Sequence, residues 1–211
     1  MTRNPALAKV KRAYTDEARR LATQSMTQLD QANVTPDALT ISGVALCIAG
    51  AVAVYFEYAG WAFYWLGAAL FVVGSVLDIL DGALARSRGT GSPFGAFLDS
   101  TVDRVGEGFM IASIGLVFMR HDQMWALALA FAAIAGSFLV SYARARAEAL
   151  GLKGDVGLGS RAERVVVITA GLVLAPLHDL ILPATIALLA ATAWVTVVQR
   201  ILFVRKQLRS M

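Results

Sequence analysis

Long apolar runs constrain this chain more than any other feature. A helix that crosses the hydrocarbon core of a bilayer needs about 20 mostly apolar residues. Four stretches reach that length: 38–58, 61–77 with helical continuation to 86, 124–143 and 180–199. Two more, 108–119 and 165–177, are short alone and become long enough if their helices start near Pro93 and Ser160. Hydrophobic residues make up 57% of the 211-residue chain, against about 45–50% in an ordinary soluble domain. The excess lies in the long runs, which argues against a greasy soluble core. The expectation is an all-α integral membrane protein with six transmembrane helices, forming one domain over 35–211.

Helix starts are marked by Thr35-Pro36-Asp37 and Ser92-Pro93, each a capping hydroxyl followed by proline at the first helical position. The two weaker spans are polar in the half that points to the same side of the membrane. A polar half-helix in lipid is costly unless it lines a cavity or packs inside the bundle.

The distribution of basic residues tests the span count. With six spans, both termini fall on one side. All but Arg120 of the 19 lysines and arginines then lie on that side, which the positive-inside rule makes the cytoplasm. A five-span arrangement would split the set. The net charge of +4 thus reads as attraction to anionic lipid headgroups, and no nucleic-acid partner is expected. Residues 1–34 place Ala6, Val10, Tyr14, Ala18, Leu21 and Leu29 on a possible apolar face between Lys and Arg. They are read as an amphipathic helix in the headgroup layer, the alternative being a solvated tail. The first 30 residues lack the apolar core of a cleavable leader. The single cysteine, Cys47, sits in an apolar run and is given no role.

Polar residues inside these spans carry the chemistry. Asp78, Asp81, Gly82, Ala85 and Arg86 fall at i, i+3, i+4, i+7 and i+8, on one face of a helix. Gly95, Asp99 and Asp103 share a face of the next. The connection over 87–94 is short, so the two helices are expected to be antiparallel neighbours. Four carboxylates at one end of a low-dielectric bundle repel one another unless a cation joins them. Oxygen-only ligands favour Mg²⁺, Mn²⁺ or Ca²⁺ over zinc, and both histidines, His121 and His178, map to the opposite side. The alternative is a network of salt bridges to Arg86, Arg88 and Arg104. A metal pair that clamps a diphosphate, with a carboxylate free to take a proton from a hydroxyl, suits phosphoryl transfer.

The pattern Asp78-x2-Asp81-Gly82-x2-Ala85-Arg86-x8-Gly95-x3-Asp99-x3-Asp103 resembles the signature of the CDP-alcohol phosphotransferases at all eight fixed residues over 26 positions. The resemblance implies that Asp78, Asp81 and Asp99 hold two Mg²⁺ or Mn²⁺ ions, with Asp103 as shared ligand and general base. It implies that Asp37, Thr40, Asp78, Gly82, Ala85, Arg86 and Gly95 bind the CDP-lipid, that an acceptor hydroxyl attacks the lipid-side phosphorus to release CMP, and that the protein is a homodimer in the cell membrane with its site facing the cytoplasm.

The segment Ser141-Tyr142-Ala143-Arg144-Ala145-Arg146-Ala147-Glu148, followed by Gly151-Leu152, Gly154-Asp155 and Glu163-Arg164, resembles the branch of that family that makes phosphatidylinositol phosphate from CDP-diacylglycerol. There, three basic residues hold the phosphate of inositol 1-phosphate, and the matching positions are Arg144, Arg164 and Arg200. Arg144 departs from the usual lysine, which replaces a point donor by a planar fork. Glycerol 3-phosphate, giving phosphatidylglycerol phosphate, is the rival acceptor. The rival from another class is a divalent-cation transporter. It is opposed by the position of the acids at one helix end and by the apolar stretches 46–54 and 111–119 beyond them.

Overall fold

The computed structural model describes residues 35–158 and 160–209. The proposed interfacial helix at 1–34 lies outside the described residues. Those described form six α-helices: α1 (Pro36–Tyr55), α2 (Ala62–Ser87), α3 (Pro93–Arg120), α4 (Met124–Ala149), α5 (Arg161–Leu174) and α6 (Ile181–Arg209). No strand occurs among them. The helix starts are those the capping residues mark. Thr35 Oγ1 accepts from the Ala38 amide at 3.2 Å and Ser92 Oγ from the Gly95 amide at 2.9 Å. At α5 the Ser160 hydroxyl and Glu163 carboxylate satisfy each other's backbone amides in a capping box.

Helices α1, α2, α4 and α6 are long and apolar enough to cross a membrane. Helix α3 has the length, at 28 residues, but its first fifteen residues carry Asp99, Asp103, Arg104 and Glu107. Helix α5 has 14 residues, about 21 Å at 1.5 Å each, and begins with Arg161, Glu163 and Arg164.

The helices close into a ring. α1 packs on α2 and α3, α3 on α4, α4 on α6, α6 on α5, and α5 on α2. Phe71, Val54, Met110, Ile114, Phe118, Ile168, Leu172 and Ile186 fill its middle. The aspartates lie beyond this plug at one end. At the other end, buried Glu57 accepts from Arg120 at 2.9 Å and lies 3.2 Å from His121. Arg120, the exception in the charge map, is thus neutralised locally, which reduces its weight in the topology.

The ring order corrects one expectation. Although consecutive and joined by a short turn, α2 and α3 are not packed neighbours: α1 lies between them. Glycines set the α1–α2 distance. A Cβ added at Gly74 would stand 2.5 Å from the Gly43 carbonyl oxygen and 2.7 Å from Cys47 Sγ. Backbone cannot yield as a side chain does, so the Gly74→Ala protein should unfold at lower temperature, by the roughly 1–3 kcal/mol typical of overpacking. A thermal melt in detergent checks this, and an unchanged midpoint would show that α1 and α2 can part without cost.

Candidate active site

Because α1 wedges between α2 and α3, the acids of α2 face those of α3 across a space at the polar end of the ring. Asp78 and Asp81 are buried at 7% and 3% exposure, which rules out solvated surface carboxylates. One oxygen each from Asp78, Asp99 and Asp103 lies within 4.8 Å of the others. Asp81 is not part of this group: its Oδ2 accepts the hydroxyl of Thr40 from α1. Thr40 is itself buried, at the contact with Asp81.

Two cavities and a groove surround the acids. A polar pocket of about 390 Å³ is lined by Asp37, Thr40, Asp81, Gly82, Ala85, Arg86, Gly95 and Asp99. It contains every residue proposed for the CDP-lipid except Asp78, together with Asp81 and Asp99. Arg86 folds back over Gly82, where an added Cβ would sit 3.2 Å from its Nη1. Toward the apolar middle of the bundle, Asp78, Asp103, Glu107 and Arg161 border a cavity of only about 10 Å³, room for one water at most. An apolar groove of about 860 Å³ runs between α2 and α5, from Ser160 and Arg161 to Val173 and Leu174.

The ion-pair partner of the aspartates is not the one expected. Arg161, from the first turn of α5, donates to Asp78 and approaches Asp103 Oδ1 with Nη2 at 2.6 Å. Arg104 is 3.4 Å from Asp103 Oδ2 and donates to Ser141 at 2.7 Å. From sequence, Arg161 counts only toward topology. The available signal was its spacing of three residues from Arg164 in the polar half of a short span, which puts both on one helix face.

Of the three arginines proposed for the acceptor phosphate, Arg144 and Arg164 both lie within electrostatic range of Arg200. Their states differ. Arg164 is buried, hydrogen-bonded to Ser137, with Nη1 3.3 Å from Glu107 Oε1 and with a buried Nε that has no hydrogen-bond partner. Arg200 donates from Nε to the Val156 carbonyl at 2.9 Å and from Nη1 to the Val140 carbonyl. Arg144 is exposed and pairs with Glu148 at 2.8 Å. Glu107 and Ser137, absent from the sequence-based set, hold Arg164 from α3 and α4.

The residues fit a divalent metal. The donor set is carboxylate oxygen only, and Asp103 Oδ1 is buried without a hydrogen bond despite the nearby guanidinium. Buried acceptor capacity of this kind suits a hard cation.

Residues 33–199 match the CDP-alcohol phosphatidyltransferase family, and the chain belongs to that family. It is 40% identical over 144 residues to the archaetidylinositol phosphate synthase of Methanothermobacter thermautotrophicus, covering 68% of this chain and 71% of that one. It also resembles the crystal structure of Mycobacterium tuberculosis phosphatidylinositol phosphate synthase with CDP-DAG bound, at TM-score 0.79 and 31% identity over 88% of this chain and 94% of that one. A second structure of that enzyme, in complex with manganese and citrate, matches at TM-score 0.79 and 31% identity, covering 87% and 88%.

Proposed function

We propose that this protein transfers the phosphatidyl group of CDP-diacylglycerol to inositol 1-phosphate, giving phosphatidylinositol phosphate and CMP. The observation that carries the reading is the placement of the carboxylates. They lie between a polar pocket of nucleotide size and an apolar groove that begins beside them at Arg161. A CDP-lipid laid across the two has its diphosphate at the acids, its cytidine against Gly82, Ala85 and Gly95, and its tails along Val72, Val76 and Val166.

Asp78, Asp81, Asp99 and Asp103 would hold one or two Mg²⁺ or Mn²⁺ ions. When bound, such ions neutralise the diphosphate oxygens and the charge that develops on departing CMP. The chain's own groups do the rest. Asp103 accepts the proton of the acceptor hydroxyl, whose oxygen bonds to the lipid-side phosphorus as the bond from that phosphorus to the CMP oxygen breaks. Arg86 pairs with the nucleotide-side phosphate. Arg144, Arg164 and Arg200 hold the acceptor's phosphate, and charge-assisted bonds there offset its approach to another anion. The apolar plug beyond the acids gives a cation no polar path onward, which speaks against transport.

In the membrane, the reading has six spans with both termini and the aspartates on the cytoplasmic side, residues 1–34 in the headgroup layer, and two chains per assembly. Helices α3 and α5 cross with their polar ends turned into the site.

The test is CMP release by the purified protein with CDP-diacylglycerol and Mg²⁺, comparing inositol 1-phosphate, glycerol 3-phosphate, free inositol and serine. Release with inositol 1-phosphate alone is the expected result. Release with glycerol 3-phosphate alone would keep the aspartate chemistry and replace the acceptor. No release with any of the four from folded, metal-loaded protein would refute the reading.

A further inference from the structure

The first turn of α5 drives an arginine into the acid cluster. The guanidinium of Arg161 reaches Asp78 on α2 and Asp103 on α3 together, so one planar cation bridges two carboxylates from different helices. Both belong to the three-carboxylate group that fits a metal. Arg161 takes one oxygen of each carboxylate, Asp78 Oδ2 and Asp103 Oδ1. A guanidinium nitrogen sits 2.6 Å from the second of them, whereas Mg²⁺ binds oxygen at about 2.0–2.1 Å. A metal held by Asp78 and Asp103 would compete with the guanidinium for their carboxylates, and the two cations would repel each other at that range.

Arg161 also has somewhere to go. Its side chain is 29% exposed, and it lines the apolar groove as well as the cavity beneath the acids. The groove mouth is where the diphosphate of a CDP-lipid would enter.

We infer that Arg161 is a positioning residue that serves as a resident counter-cation: it holds the Asp78–Asp103 pair together before metal arrives, is displaced by metal, and turns to the groove mouth to meet the lipid-side phosphate. This rests on the proposed metal role of the aspartates. Two effects follow. The metal-free protein is spared the repulsion of bare buried carboxylates, so it folds without metal. Metal binding is weakened by the cost of displacing the arginine.

The experiment is Mn²⁺ binding to the full chain in nanodiscs, read from the spectroscopic signal of free Mn²⁺, with thermal melts with and without metal. The proteins are wild type, Arg161→Gln, Arg161→Lys and Asp103→Asn. Arg161→Gln should bind Mn²⁺ about tenfold more tightly, a coupling of ordinary size. Its metal-free melting temperature should fall and its gain on adding metal should grow. Arg161→Lys, which keeps the charge but not the fork, should lie between it and wild type. A plain structural role predicts weaker metal binding in Arg161→Gln, and equal or weaker binding there overturns the inference. If Asp103→Asn binds Mn²⁺ as wild type does, or wild type binds none, the aspartate metal site itself has failed and the inference with it.

Discussion

Asp103→Asn is expected to lower kcat by about 10²–10⁴-fold, the usual contribution of a positioned general base. Asparagine fills the same volume but cannot take a proton. The proposed mechanism gives Asp103 this role: its side chain is 11% exposed, and its Oδ1, 2.6 Å from Arg161 Nη2, has no hydrogen bond. It lies in one group with Asp78 and Asp99, their oxygens within 4.8 Å of one another. CDP-lipid binding should remain measurable, because the pocket around Thr40, Gly82 and Arg86 is untouched. Near-normal turnover with intact folding would remove Asp103 from the proton transfer and move attention to Asp99.

The second large effect is on acceptor binding. Arg164→Ala should raise KM for the phosphorylated acceptor by roughly 10–150-fold, the equivalent of about 1.5–3 kcal/mol for a hydrogen bond to a charged group. The CDP-lipid KM should change much less. The structure adds a complication. Arg164 is the cation beside Glu107, whose side chain is only 11% exposed. Removing one partner of a buried pair costs about 3–5 kcal/mol because the other is left charged and alone. The single variant will therefore also lose stability. Adding Glu107→Gln separates the two: the double variant should regain most of the melting temperature and none of the acceptor affinity. If affinity returns with stability, Arg164 is a structural residue and the acceptor's phosphate is held elsewhere.

Much of this site was legible in sequence because it is periodic. Asp78 and Asp81 share a helix face by spacing alone, as do Asp99 and Asp103, and proline after a capping hydroxyl places the start of α3. The pocket residues Asp37, Thr40, Gly82, Ala85, Arg86 and Gly95 come together as expected. Three things were not legible. Chain order made α2 and α3 neighbours, but a short turn limits only the distance between helix ends, and α1 fills the space behind. The hydrogen bond from Thr40 to Asp81 joins residues 41 positions apart, which spacing along one helix does not show. Arg161 looked like a topology charge, because any arginine at that helix end satisfies the positive-inside rule whatever its side chain touches.

The sequence by itself determined the apolar stretches, the starts of α1, α3 and α5, the faces on which the acids lie, and the end of the bundle where charge collects. All of these follow from hydrophobicity, capping and the 3.6-residue period, which are local properties. The tertiary structure alone decided the ring order, the glycine contact that draws α1 onto α2, the insertion of Arg161 between acids of α2 and α3, and the pairing of Arg164 with Glu107 of α3. Those outcomes depend on which backbones can approach closely and on where long, flexible guanidinium side chains find carboxylates across the bundle. Spacing along one chain does not encode either.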